Sequence, residues 1–177
     1  MGQACLRALR EAGAEAVAAE TQAEIAAAAA RFGRLDGLAN AAGTAGLDDP
    51  GAATGAQLEA HLQAQFLAAQ AAGRVMLAQG FGAVVNLTGA GALAAGLAPA
   101  AGSIAAAAVA MFARSMACEW GGSGVRVNAL AVAAGIDPGG AAEFLLSPRA
   151  GYVSGSIVAL DGGRASRAGA EAAALLP

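Results

Sequence analysis

The sequence predicts an α/β fold in which a parallel sheet of about five strands carries helices on both faces. Three observations predict it. Segments of helical and strand character alternate along the 177 residues, as they do where helices cross over between parallel strands. The runs Ala83-Val84-Val85-Asn86-Leu87, Val125-Arg126-Val127-Asn128-Ala129-Leu130 and Ser156-Ile157-Val158-Ala159-Leu160 are short and mostly apolar, which suits strands covered on both sides. Glycine, at 26 residues, falls repeatedly at the joints between segments.

Each element has its own warrant. Residues 3–12 are good helix formers and stop at Gly13, a natural C-cap. Residues 14–20 read as a short strand, although alanine is a poor strand former. Residues 24–31 are helical, and 35–40 form a strand that runs into a glycine turn at Gly43. The loop over 44–55 holds Asp48-Asp49, which reads as a solvated turn. A long helix spans 57–77, with Leu58, Leu62, Phe66 and Leu67 on or near one face. Strand 83–87 is followed by a glycine-rich loop, 89–102, and by a helix over 103–120 with Ser103 as its N-cap. Strand 125–130 leads through Gly135, Pro138 and Gly140 to a helical fragment at 141–146. Strand 156–160 stops at Asp161-Gly162-Gly163. Residues 1–163 make one domain, and 164–177 an Ala/Arg-rich tail, frayed helix or disorder.

Composition then removes whole classes of function. Alanine supplies 56 residues and aromatics only 4% of the chain, so the core is built from closely approaching backbones with few large anchors. A net charge of −3 with ten scattered arginines lacks the basic face that nucleic acid requires. Cys5 and Cys118 have no metal-ligand spacing and read as buried thiols of a reducing, cytoplasmic compartment. No basic stretch followed by an apolar one opens the chain, so no secretory signal is expected. Residues 75–113 carry no charge, yet Gln79, Asn86, Thr88, Pro99, Ser103 and several glycines break them into strand, loop and helix. A buried core explains that stretch better than a membrane span. The Asn86-Leu87-Thr88 sequon sits in an apolar strand and is discounted.

Several words in these segments, taken in order, are similar to those of the short-chain dehydrogenase/reductase family. Asn40-Ala41-Ala42-Gly43 resembles its Asn-Asn-Ala-Gly turn, and Val84-Val85-Asn86-Leu87 its strand before the catalytic serine. Arg114-Ser115-Met116-Ala117-Cys118-Glu119-Trp120 and Val125-Arg126-Val127-Asn128-Ala129-Leu130 resemble the helix and strand after its Tyr-x-x-x-Lys. Ser147-Pro148, Tyr152-Val153-Ser154-Gly155 and Leu160-Asp161-Gly162-Gly163 resemble its C-terminal end. The resemblance covers residues 31 to 163 and implies a reduced, doubly wound Rossmann-like sheet.

At the N-terminus the resemblance matches Gly2 to the last glycine of the family's Thr-Gly-x-x-x-Gly-x-Gly loop. It places Glu20 where an acid holds the adenosine ribose. A rival register moves residues 4–20 one βα unit later. In either register much is missing. The first strand and most of the phosphate loop are absent, so the strand at 14–20 must pair beside 35–40 or leave an edge open. Asn40, Ala41, Ala42 and Gly43, with Gly2 and Glu20, are the vestigial cofactor-binding positions, and NAD(P) binding is expected to be weak or absent. Val132-Ala133 stand where the family has Pro-Gly.

The family's chemistry uses a tyrosine phenol, a lysine four residues on and a serine, and this chain contains no lysine at all. Counting back from Glu119-Trp120 places the tyrosine slot at Gly102 and the lysine slot at Ala106. The serine slot falls on Gly89, beside Thr88. Ser103 is a second hydroxyl nearby, and Tyr152, the only tyrosine, occupies a structural position. The family's asparagine slot is His61 by ungapped counting or Gln65 with the gap moved. His61 reads first as a polar helix residue, with a general-base role as the alternative. The leading expectation is a catalytically degenerate family member acting as a binding or structural subunit. It would be a homodimer or oligomer through helices 57–77 and 103–120, or a partner of an active paralogue. The alternatives are an oxidoreductase with an unusual site around Thr88, Ser103 and His61, and a remnant without function.

Overall fold

A computed structural model of the chain describes residues 1–43, 47 and 53–167. Asp48 and Asp49, and the tail from residue 168 onward, lie outside the described residues. The elements in order are α1 (Gly2–Glu11), α2 (Gln22–Phe32), β1 (Gly37–Asn40), α3 (Gly55–Gln79), β2 (Gly82–Gly89), α4 (Ala100–Trp120), β3 (Val125–Val132), α5 (Gly139–Leu146) and β4 (Ile157–Leu160). The four strands form one parallel sheet in the order β1-β2-β3-β4.

Alternation along the strands sends side chains to two cores. Val84, Val125, Val127 and Ala129 join α2, α3 and α4 through Ile25, Ala69, Ala72, Met76, Ala113 and Met116. Val85, Leu87, Leu130 and Val132 join α1 and α5 through Cys5, Ala142 and Leu145. The sheet is thus wound on both faces, as the sequence predicts. The crossovers through α3 and α4 lie on one face and the one through α5 on the other, while every step moves to the next strand in the same direction. The last crossover therefore has the opposite hand to the first two, an uncommon arrangement. The close helix packing expected from alanine is present. Gly73 on α3 meets the Trp120 indole so tightly that a Cβ there would lie 2.3 Å from Cη2.

Three expectations need correction. Residues 14–20 form no strand, so among the described residues the sheet has four strands of the roughly five expected. That segment is Ala-Glu-Ala-Val-Ala-Ala-Glu, with one β-branched residue to favour pairing. Helix α4 starts at Ala100 after Pro99, and the Ser103 amide already donates to the Pro99 carbonyl at 2.8 Å, so Ser103 is inside the helix and not its N-cap. Cys118 is exposed while Cys5 is buried. Two residues past the buried Met116 is about 200° around the helix, which turns Cys118 outward.

Two threonines set helix starts. Thr21 and Glu24 close a reciprocal capping box on α2, and Thr54 and Gln57 close another on α3. The α3 box fixes where the long helix begins, and with it the height at which His61 and Gln65 meet the strand ends.

Candidate functional site

At the C-terminal ends of β1 and β2 the polar residues of the turn gather into a buried knot. Asn40 and Asn86 are register partners on neighbouring strands and point to the α3 side. The Asn40 Nδ2 donates to the Asn86 Oδ1 at 2.9 Å and to the Gln65 backbone carbonyl at 2.8 Å. The Gln65 Nε2 donates to the carbonyls of Ala42, at 3.0 Å, and Leu87, at 3.1 Å. Asn40, Gln65 and Asn86 are each at most 2% exposed, so these bonds work in a low dielectric, where losing one is costly. Gln65 thus ties the turn to β2.

His61 stands one helical turn earlier, 6% exposed. Its Nδ1–H donates to the Gly43 carbonyl; an oxygen acceptor puts the proton on that nitrogen. Its Nε2 is buried, and together with Gln65 Oε1 and Asn86 Nδ2 has no partner among the described residues. Gly43 has φ +69°, and a Cβ on it would lie 2.8 Å from the His61 Cα. The turn thus needs glycine twice over, for its left-handed backbone and for its contact with α3.

The N-terminus of α1 comes to the same place. A Cβ on Gly2 would touch the Ala41 Cβ at 3.4 Å, so Gly2 and the Asn40–Gly43 turn are brought together as the resemblance implies. Arg7, one turn further along α1, is paired with Asp137. Glu20 is exposed ahead of α2, where its amide donates to the Glu24 carboxylate at 2.6 Å.

The opposite wall is bare. Gly89 ends β2, and a Cβ there would meet nothing within 4 Å. Gly102 lies in the first turn of α4, and Ala106 follows one turn later at 2% exposure. Thr88 is 2% exposed on β2. The Ser103 hydroxyl donates to the Ala98 carbonyl at 3.2 Å and sits under Gly91, whose Cβ would lie 2.9 Å from Oγ. Tyr152 stands fully in solvent on the loop before β4. Among the described residues no cluster of His, Cys, Asp or Glu could hold a metal ion.

The resolved pKa displacements fall on structural groups. Burial pushes the Cys5 thiol up and the Arg126 guanidinium down. That guanidinium donates to the carbonyls of Leu145 at 2.7 Å and Ser147 at 3.1 Å, closing the end of α5. The amides of Ala165 and Gly163 hold the Asp161 carboxyl below its ordinary range. Arg126 and Asp161 lie within the words 125–130 and 160–163, and Gln65 within the counted helix, but the sequence does not show which carbonyls and amides each of them bonds.

Comparison with known proteins agrees with this geometry. A family model described as enoyl-(acyl carrier protein) reductase matches residues 16–137. Galactitol 2-dehydrogenase (L-tagatose-forming) of Cereibacter sphaeroides is 36% identical over 85% of this chain and 73% of its own length. An uncharacterized oxidoreductase of Mycobacterium tuberculosis is 39% identical over 64% of this chain, which spans 44% of that relative. A solved gluconate 5-dehydrogenase from Burkholderia cenocepacia, in complex with NADP and tartrate, matches with a TM-score of 0.70 at 26% identity, over 82% of this chain and 70% of that one. With the family's turn, strands and C-terminal words all in their places on one parallel sheet, the chain belongs to the short-chain dehydrogenase/reductase family.

Proposed function

We propose that this chain is a catalytically degenerate oxidoreductase-family protein that acts as a binding or structural subunit in the cytoplasm. One observation carries the reading: the sequence has no lysine, and counting within the resemblance puts Gly89, Gly102 and Ala106 at the serine, tyrosine and lysine positions. A positioned acid/base is worth roughly 10²–10⁴ in rate, and a phenol without its ammonium neighbour would be poorly tuned even if present. Neither Thr88 nor Ser103 replaces that pair, and the His61 lone pair at Nε2 faces the interior.

The residues present do not fit a tightly held NAD(P). The α1 N-terminus, with Gly2 beside Ala41, offers a helix dipole to a phosphate. Arg7 is already paired, and Ala106 is buried where a ribose-holding cation would be needed. Binding is weak or absent in this reading.

What supports a subunit role is the outer face of α3 and α4. Phe66, Ile104 and Met111 are 46%, 56% and 58% exposed, and Phe66 stacks on Phe112 with ring centroids 5.3 Å apart. Large apolar side chains exposed on neighbouring helices support an interaction surface. The partner we assign is a second copy or an active paralogue. Helix α4 is also long and apolar enough to cross a membrane by composition alone, but its inner side builds the core against β3, and no membrane or nucleic-acid role is assigned.

Titration with NADH, followed by its fluorescence, tests the reading together with light scattering. No saturation at micromolar NADH and a discrete dimer that Met111→Glu dissociates are expected. Saturable micromolar binding with turnover would restore an oxidoreductase site around Thr88, Ser103 and His61. A molten, aggregating chain would instead identify a remnant.

A further inference from the structure

The segment between α1 and α2 has to cross the sheet's open edge. Helix α1 packs with α5 on one face, and α2 packs with α3 on the other. Strand β1 is the outermost strand, touched by α1 and α5 on one face and by α3 on the other. The direction of travel also follows. Helix α1 begins at Ala41, at the C-terminal end of β1, and so ends toward its N-terminal end. Helix α2 ends at Phe32, just before β1 begins at Gly37, and so starts toward the other end. Residues 14–20 therefore run alongside β1 in its own direction.

That path is the path of a strand, yet no pairing is made there among the described residues. The segment is exposed at nearly every position, and its bonds among the described residues go to the flanking helices: Ala14 N–H to the Leu9 carbonyl and Arg10 Nε–H to the Ala16 carbonyl, both 2.9 Å, and Glu20 N–H to the Glu24 carboxylate at 2.6 Å. Strand β1 shows the complementary opening. Leu38 packs into one core and Ala39 into the other, so both faces are covered. Residues 37–39 are nevertheless half-buried while the interior of β2 is wholly buried. Among the described residues β1 has a paired strand on one side only.

We propose that residues 15–19 are a strap that zips onto this edge as a fifth parallel strand, and that its function is to keep β1 from templating a second chain. Unpaired edges recruit strands from other molecules unless they are covered. The topology favours closure. A strand here would be joined to β1 through α2, on the same face and in the same direction as the crossovers through α3 and α4. Such right-handed units are the rule in parallel sheets. The composition makes closure reversible, because alanine and glutamate pair weakly and Val17 alone favours a strand.

Hydrogen exchange on the intact chain, read by peptide mass, tests the strap. Ala16→Val combined with Ala18→Val is expected to slow exchange across 37–40 roughly fivefold, from about 1 kcal/mol of added strand preference, and to reduce concentration-dependent light scattering. Val17→Pro and Ala18→Pro form the opposing pair. Alternate amides face one neighbour, so one of the two must delete a bond to β1, speed exchange there and raise self-association. Neither amide is bonded in the open form, so both variants should keep the parent's helical circular dichroism. Unchanged exchange in the valine variant, or two proline variants that both behave like the parent, would overturn the proposal. Edge protection that grows with protein concentration would overturn it too, by showing that a second copy covers the edge.

Discussion

Two walls face each other at the C-terminal ends of the strands, and they have fared differently. On the α3 side, Asn40, Gln65, Asn86 and Gly43 are engaged in bonds or contacts that hold the turn on the sheet. On the α4 side, Gly89 opens onto free space, Ala106 is a small buried filler, and Ser103 is spent on a backbone carbonyl. In the function proposed above, what survives is what the fold needs, and what is missing is what a proton transfer needs. A residue with a structural duty costs stability when it is lost, whereas a tyrosine or lysine used only in chemistry can go at no cost to folding. Mutations on the two walls should therefore differ sharply in size.

The largest effect is expected at Gly43. Gly43→Ala forces a left-handed residue to carry a Cβ, at about 1–2 kcal/mol, and drives that atom to 2.8 Å from the His61 Cα, where the helix backbone has to yield. Overpacking of this kind costs about 1–3 kcal/mol, so a total near 3 kcal/mol is expected in the urea midpoint. A loss below about 1 kcal/mol would mean the turn is not seated on α3 as described.

Asn40→Ala should come next. It strips donors from the Gln65 carbonyl and the Asn86 Oδ1, both inside the protein; unsatisfied buried groups cost about 1–3 kcal/mol. Asn86→Ala should cost no more than Asn40→Ala, and the double variant less than the sum, because both remove one shared bond. Strict additivity in urea titrations would break the knot into independent residues.

Asp161 gives a pH-dependent member of the structural set. Its carboxylate accepts from Ala165 N–H at 2.7 Å and Gly163 N–H at 2.8 Å, which lowers its folded pKa below the ordinary 3.8. The unfolded chain then binds a proton first as pH falls. The contribution is therefore complete above about pH 5, and shrinks as pH drops through 4 toward the folded value. Asp161→Asn should flatten the fall in urea midpoint between pH 5 and 3. An equally steep fall in that variant would assign the acid sensitivity to other carboxyls.

Legibility in the sequence followed the same division. Strands β2 and β3 were readable because they are apolar runs between glycines, and the turn was readable as the word Asn-Ala-Ala-Gly. The capping boxes were also in plain view, as Thr-Gln-Ala-Glu and Thr-Gly-Ala-Gln, with the spacing that lets each side chain reach the other's amide. The segment 14–20 misled because position along the chain suggested a strand while its side chains could not enforce one. Ser103 misled because hydroxyls are good caps, but the start of α4 is set by Pro99, inside an Ala/Gly stretch without periodicity. His61 and Gln65 were inseparable by counting. They sit on one helix face four residues apart, and only the third dimension shows that one bonds Gly43 and the other bridges Ala42 to Leu87.

The smallest expected effect sharpens the comparison most. Gly89→Ser puts a hydroxyl at the position that counting assigns to the family's serine, where a Cβ meets nothing within 4 Å and the backbone is ordinary extended strand, φ −77° and ψ 156°. No clash, no left-handed strain and no lost bond accompany the change, so stability should move by less than about 0.5 kcal/mol, as for an unconstrained surface site. It should also bring no NADH oxidation, since Gly102 and Ala106 still supply no acid and no cation. A cost above about 1 kcal/mol would show that another part of the chain fills this space in solution. The bare wall would then be a packed one, and the two sides of the cleft would differ in which residues hold the fold rather than in whether they do.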